Sequence, residues 1–347
     1  MNFASDHTGP AHPAILQAVV EANEGYVPSY GSDPLTARVQ DRFREAFEAP
    51  EATVFLVPTG TSANALILAT LSEPWQEIYA AEHSHIREDE CNAVEHFTGG
   101  ARITTVNAGD FLDPEALRTT MAGASPHGHH NAQNGPVSIT QVTDLGRVYS
   151  LEQIAGISAV AREFGQPLHM DGARFANALV SLGCTPAEMT WKAGVNALSF
   201  GGTKNGCLGV EAVVFFDPKH AWEFELRRKR AGHLFSKGRF LAAQMHGYLK
   251  DDLWQDLARR ANAAATRMID GLRVIPHVTF NPEPHANMIF AAMPAAAHAR
   301  ALAEGAYYEV HGDPDSVPDE TLLTCRLVCD WSSDPEQIDR FIGLIRG

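Results

Sequence analysis

Two short apolar runs, residues 167–170 and 197–200, each give way to a glycine-containing turn that carries charge. The first continues as Asp171-Gly172-Ala173-Arg174, the second as Gly201-Gly202-Thr203-Lys204-Asn205-Gly206. The stretch between them leaves room for one helix and the second strand. In open α/β sheets, ligands gather outside the carboxyl ends of the strands. An acid, Asp171, and an amine, Lys204, are therefore expected side by side on one sheet edge.

The same alternation runs through the middle of the chain. Apolar runs at 53–57, 77–81, 137–142 and 211–216 read as further strands, and 61–71 reads as a helix. Ser150 is placed to cap another helix, with Leu151, Ile154, Ile157, Ala161 and Phe164 along one side. This pattern predicts an α/β fold with a mostly parallel sheet between helices. Beyond residue 216 come long helical segments at 221–230, 239–248 and 251–272. Short strands at 287–292 and 322–328 and a terminal helix at 335–345 then suggest a smaller C-terminal α/β domain. The expected division is an N-terminal segment, 1–30, a large domain, 31–245, and a small domain, 246–347. Residues 126–135, rich in His and Asn, read as a loop.

Composition narrows the class. A chain of 347 residues, 45% hydrophobic and 20% charged, suits a soluble globular enzyme. Its net charge of -15 argues against a nucleic-acid surface. The short basic cluster Arg227 to Arg230 reads as a helix face or an interface. The 5 cysteines are scattered and lack CxxC spacing, so neither a disulfide framework nor a zinc site is indicated. No basic leader, apolar h-region or apolar stretch of about 18 residues is present. The expected location is the cytoplasm, with no membrane partner.

An ionised Asp171 could keep a pyridine nitrogen protonated; capping the following helix is its other reading. A desolvated Lys204 has a lowered pKa and can bond covalently to an aldehyde, whereas a lysine in a mobile surface loop would not. Thr59-Gly60-Thr61-Ser62-Ala63-Asn64 follows a strand and opens a helix, a position where backbone N–H groups face an anion. Together with the Arg174 guanidinium, these groups are what pyridoxal phosphate asks of a protein. His83-Ser84-His85, if extended, would put both rings on one side, to stack on a planar cofactor. Alternatively they could ligate a metal, as could His127, His129 and His130. Arg326, inside an apolar strand, needs a partner: a substrate carboxylate, or an internal acid such as Asp330.

These residues resemble the L-threonine aldolases of the fold type I pyridoxal phosphate enzymes, particularly the low-specificity and phenylserine aldolase-like members. The likeness spans nearly the whole chain. It runs from Phe3-Ala4-Ser5-Asp6 and Tyr30-Gly31-Ser32-Asp33 through Pro58-Thr59-Gly60-Thr61 and His83-Ser84-His85. It continues in His169-Met170-Asp171-Gly172-Ala173-Arg174, Thr203-Lys204-Asn205-Gly206 and Arg326-Leu327-Val328. The resemblance implies a covalent cofactor link at Lys204, with Asp171 on the ring nitrogen and His85 over the ring. It gives Gly60, Thr61 and Asn64 the phosphate. Ser5, Arg174 and Arg326 would orient the substrate carboxylate. A further family histidine, near the substrate hydroxyl, falls on His130, with His129 next to it. Ser5-Asp6-His7-Thr8 and the His-rich 126–135 depart from the family pattern.

The implied reaction is retro-aldol cleavage of L-threonine, L-allo-threonine or a related β-hydroxy-α-amino acid to glycine and an aldehyde. The base would be His85, His130 or a water between them. A homodimer or homotetramer with interface active sites is implied, and no metal. An aminotransferase or β-eliminating lyase shares Asp171, Lys204 and a carboxylate-binding arginine; the histidines favour the aldolase. A metal-dependent lyase or metal-binding protein would instead use the histidine groups.

Overall fold

The computed structural model describes residues 1–124 and 128–347. The larger sheet contains β1 Thr53–Val57, β2 Gln76–Ala80, β3 Arg102–Thr105, β4 Gln133–Thr140, β5 Leu168–Gly172, β6 Ala197–Gly201 and β7 Glu211–Phe215. Their spatial order is β1-β7-β6-β5-β4-β2-β3. All pairs from β3 across to β6 are parallel, and β7 runs against both its neighbours. The sheet is thus mostly parallel, as the alternation predicts. Strands β5, β6 and β7 are buried at every residue, which is why they read as unbroken apolar runs. The edge strand β3 has no buried residue and the polar sequence Arg-Ile-Thr-Thr, so an apolar-run criterion passes over it.

Helices cover the sheet. The helix Gly60–Leu71 springs directly from β1, its first turn capped by Thr59, whose hydroxyl accepts the Ser62 N–H. Ser150 and Gln153 form a reciprocal capping box on the helix Leu151–Glu163, a device that contributes about 1 kcal/mol.

A second, antiparallel sheet holds β8 Thr279–Phe280, β9 Met288–Pro294, β10 Glu309–His311 and β11 Leu322–Val328, in the order β10-β11-β9-β8. It has its own core, including Ile289, Leu327 and Phe341. Phe3 is stitched into it: its N–H donates to Tyr307 O, its carbonyl accepts from Val328 N, and its ring meets Phe341 edge-on. Residues 5–7 are thereby carried from the small sheet toward the large one. The boundary expected at 245/246 falls inside the helix Arg239–Leu249, whose Leu241, Met245 and Tyr248 belong to the first core. The cores change over along Leu253–Arg273 instead, where Leu257 packs in the first and Met268 and Leu272 in the second. Its 21 residues, about 30 Å of helix, are long enough to serve both. Among the described residues no helix is long and apolar enough to cross a membrane.

Candidate active site

Asp171 and Lys204 do emerge at one edge. Strands β5 and β6 are parallel neighbours with Asp171 opposite Ser199, and Lys204 follows on the short 3-10 turn Thr203–Asn205. That turn is anchored by Asn205, whose amide donates to Tyr248 Oη at 2.7 Å and Trp254 O at 2.8 Å. It ends at Gly206, whose φ of 106° favours glycine. A Cβ on Gly201 would run into the Ala173 carbonyl, so this glycine serves the approach of two backbones rather than of a ligand.

A cavity of about 300 Å³ opens between Asp171, Lys204 and the start of the helix Gly60–Leu71. The N–H groups of Gly60 and Thr61 have no protein acceptor, and a Cβ on Gly60 would meet nothing within 4 Å. Lys204 is half-buried and its amine makes no hydrogen bond; burial, then the nearby Arg174, lower its pKa. Asp171 accepts the Ala173 N–H at 3.0 Å through Oδ1 and the Asn64 amide at 2.8 Å through Oδ2. The N-cap position of the next helix, Phe175–Leu182, belongs to Arg174, so capping is not the role of Asp171. His169, earlier in the same motif, is fully buried between the hydroxyls of Ser138 and Ser199.

Asn64 lines this cavity together with Gly60 and Thr61, with its side-chain amide engaged by protein groups. Its Nδ2 donates to both Glu90 Oε1 and Asp171 Oδ2, and its Oδ1 accepts from Ser199. One helical turn beyond Gly60, it points at the acids. The extended run expected for residues 83–85 stops at Ser84, which is itself extended and is the N-cap of the helix His85–Glu88. His83 Nδ1 meets Glu88 at 3.3 Å and His85 Nδ1 meets Glu90 at 2.9 Å. The Glu90 contact is the main reason the His85 pKa is raised. The metal-capable group of three among the described residues, His85, Glu90 and Asp171, excludes His83.

An adjoining cavity of about 430 Å³ shares His7, His85, Asp89 and Lys204 and extends to Ser5, Asp144, Arg174 and Arg326. Ser5 Oγ lies 3.2 Å from His7 Nδ1. Arg326 pairs with Glu309 at 3.0 Å rather than with Asp330, whose Oδ1 accepts the Ser332 N–H in its own turn. Arg326 Nε is buried and has no partner. His130 is not brought to either cavity of its own chain. It is exposed on the turn Gly128–His130, its ring 4.2 Å from that of His129. The eight residues of β4, about 26 Å, separate that turn from the carboxyl ends of the strands. His127 lies outside the described residues.

The beta-eliminating lyase family matches residues 2–295. Over 346 residues the chain is 38% identical to the low specificity L-threonine aldolase of Pseudomonas aeruginosa, covering 99% of this chain and 96% of that one. This chain belongs to the L-threonine aldolase family. The enzyme of the same name from Pseudomonas sp. is 37% identical over the same length. In fold, this family member matches a threonine aldolase from Leishmania major with a TM-score of 0.92 at 24% identity, covering 99% and 98% of the two chains. A serine palmitoyltransferase from Sphingomonas wittichii matches at 0.72 and 16% identity, covering 100% and 86%. Both likenesses concern the fold, the fold type I architecture.

Several site groups of this aldolase family member escape a reading of the sequence. Asp6 holds Arg174, and Glu90 holds His85. Asp144 accepts the His85 N–H at 3.0 Å, and burial, then Asp171, push its carboxyl up to about 6. Glu211, at the start of β7 opposite Val57 and Gly201, accepts the Gly202 N–H at 2.8 Å; burial raises it to about 7. Asp144 shares a visible signal with Asp171, an acid just past a strand end. The others look like ordinary solvated carboxylates until the fold encloses them.

Proposed function

We propose that this chain is a carbon–carbon lyase that cleaves L-threonine, L-allo-threonine or a related β-hydroxy-α-amino acid to glycine and an aldehyde, with pyridoxal 5'-phosphate as cofactor. The observation that carries this reading is the unpartnered Lys204 amine, its pKa lowered by burial, in one cavity with Asp171 and an open helix N-terminus. The donor set fits the cofactor at three points: Gly60 and Thr61 N–H for phosphate, Asp171 for the ring nitrogen, and Lys204 for the aldehyde. Bound there, pyridoxal phosphate supplies a sink for the electron pair left on Cα when the Cα–Cβ bond breaks.

The chain's own residues do the rest. Ser5, Arg174 and Arg326 line the adjoining cavity, where a hydroxyl and two guanidinium groups are placed to meet a substrate carboxylate. A carboxylate held there fixes which bond at Cα is aligned for cleavage. His7 and His85 line both cavities and are placed to take the β-hydroxyl proton. Burial, then Lys204, lowers the His7 pKa, which keeps that ring neutral and able to accept.

On this reading residues 31–245 hold the cofactor, 246–347 bring Arg326, and 1–30 bring Ser5. The enzyme works in the cytoplasm as a homodimer or homotetramer with sites at the subunit interface. Support comes from the exposed Tyr26, Val27, Tyr30 and Phe235, a run of large apolar side chains on neighbouring segments joined by the Tyr30 N–H to Ser236 O bond.

Purified protein given L-threonine should release acetaldehyde and glycine in equal amounts. Lys204→Ala should lose that activity and the visible absorption of lysine-bound cofactor. Oxoacid formation without acetaldehyde would favour an aminotransferase or β-eliminating enzyme.

A further inference from the structure

One enclosed carboxylate joins the two side chains assigned to the cofactor ring. Glu90 Oε1 lies 2.9 Å from His85 Nδ1 and 2.8 Å from Asn64 Nδ2, and that same nitrogen lies 2.8 Å from Asp171 Oδ2. The Asn64 carbonyl accepts the Ser199 hydroxyl at 2.7 Å, which fixes the amide with its N–H groups toward both acids. The Glu90 side chain is 0% exposed, and its Oε2 is buried without a hydrogen-bond partner. Such a half-satisfied acid is unfavourable by itself, and an apolar side chain would fill the space at less cost.

We propose that Glu90 is a positioning residue for the cleavage reaction, holding His85 by Nδ1 so that Nε2 faces the cavity, and tying that ring through Asn64 to Asp171. The inference rests on the cofactor reading above. When a ring nitrogen is bonded to a carboxylate, the other is left to act, and the protonated ring is favoured. The charged and titratable groups around His85 act in both directions. Glu90 and Asp171 raise its pKa, while Lys204 lowers it. Asp144 takes its backbone N–H, and His7 and Asp89 line the same two cavities.

The test is a histidine C2–H titration by NMR on the full-length protein, with and without pyridoxal phosphate, using His85→Ala to assign the resonance. Glu90→Gln keeps the shape and removes the charge. It should lower the His85 pKa by about one unit and move the acid limb of kcat/KM down by the same amount. Borohydride should still trap cofactor on Lys204 in this variant. Glu90→Asp, shorter by one methylene, should lie between the two, and it carries the test if Glu90→Gln does not fold. An unmoved His85 titration in either variant, with cofactor still trapped on Lys204, would overturn the role of Glu90. Failure to trap cofactor in the unaltered protein would instead overturn the cofactor reading itself.

Discussion

Asp6 and Arg174, 168 residues apart in sequence, meet in a two-point ion pair, Nε to Oδ2 at 2.7 Å and Nη2 to Oδ1 at 3.0 Å, with side chains 1% and 11% exposed respectively. The N-terminal segment is thereby fastened to the turn after β5, and the Arg174 guanidinium, proposed above to hold the substrate carboxylate, is oriented in advance.

Removing one partner leaves a guanidinium enclosed without its counter-charge. Burial alone would raise the Asp6 carboxyl, but Arg174, followed by Lys204, brings it below its ordinary value. A carboxyl lowered in the folded state contributes stability above its ordinary pKa, and the contribution disappears as the pH falls through the lowered one. Asp6→Ala should therefore cost about 3 kcal/mol at neutral pH, and the gap should narrow below about pH 4. Urea unfolding across that range measures it. A pH-independent gap would mean that packing, not charge, is lost.

Glu211 behaves in the opposite sense. The residue is 7% exposed, and its carboxyl is raised from 4.5 to about 7, first by burial. A group raised in this way favours the fold fully below its unfolded pKa and loses that advantage as the pH climbs through about 7. The difference, about 2.5 units, corresponds to roughly 3 kcal/mol at most. Glu211→Gln can still accept the Gly202 N–H. The cofactor-free variant should be more stable than the parent at about pH 8.5 and equal to it near pH 4. Thermal unfolding at the two pH values decides.

On the proposed cofactor reading, Asp171 is the acid on which the electron sink depends. Asp171→Asn keeps an oxygen for the Ala173 N–H and removes the charge that would hold a ring nitrogen protonated. Cofactor should still bond to Lys204, while kcat falls by on the order of 100-fold or more. Unchanged kcat would remove Asp171 from the chemistry.

What the sequence carries plainly is local. Asp171, Lys204 and Gly60 sit where a strand ends and a turn or helix begins, and strand periodicity alone locates those points. Glu90 and Asp6 carry no such mark, because only the fold decides which carboxylates lose their water. His130 shows the converse: counting back from β4 gives its position in sequence, but β4 begins at Gln133 and leaves the imidazole at the amino end of the strand. Arg326 was legible as a residue needing a partner, whereas its acid, Glu309, comes from the neighbouring strand of a sheet whose pairing the sequence does not state.

Asp144 offers the sharpest charge test, since an asparagine can keep accepting the His85 N–H and change nothing but the charge. Burial, then Asp171, pushes this carboxyl up to about 6, so it is ionised at neutral pH and uncharged in mild acid. When ionised it favours a protonated Lys204, opposing the burial and the Arg174 charge that lower the amine's pKa. Asp144→Asn should therefore lower the Lys204 pKa further. In the cofactor-free protein an amine-directed reagent should label Lys204 about threefold faster at neutral pH, for a shift of about half a unit. The midpoint of the labelling curve should move to lower pH. Below about pH 6, where Asp144 is protonated in the parent as well, the variant and parent should converge. A midpoint that stays in place would show that solvent in the open cavity screens the carboxylate from the amine.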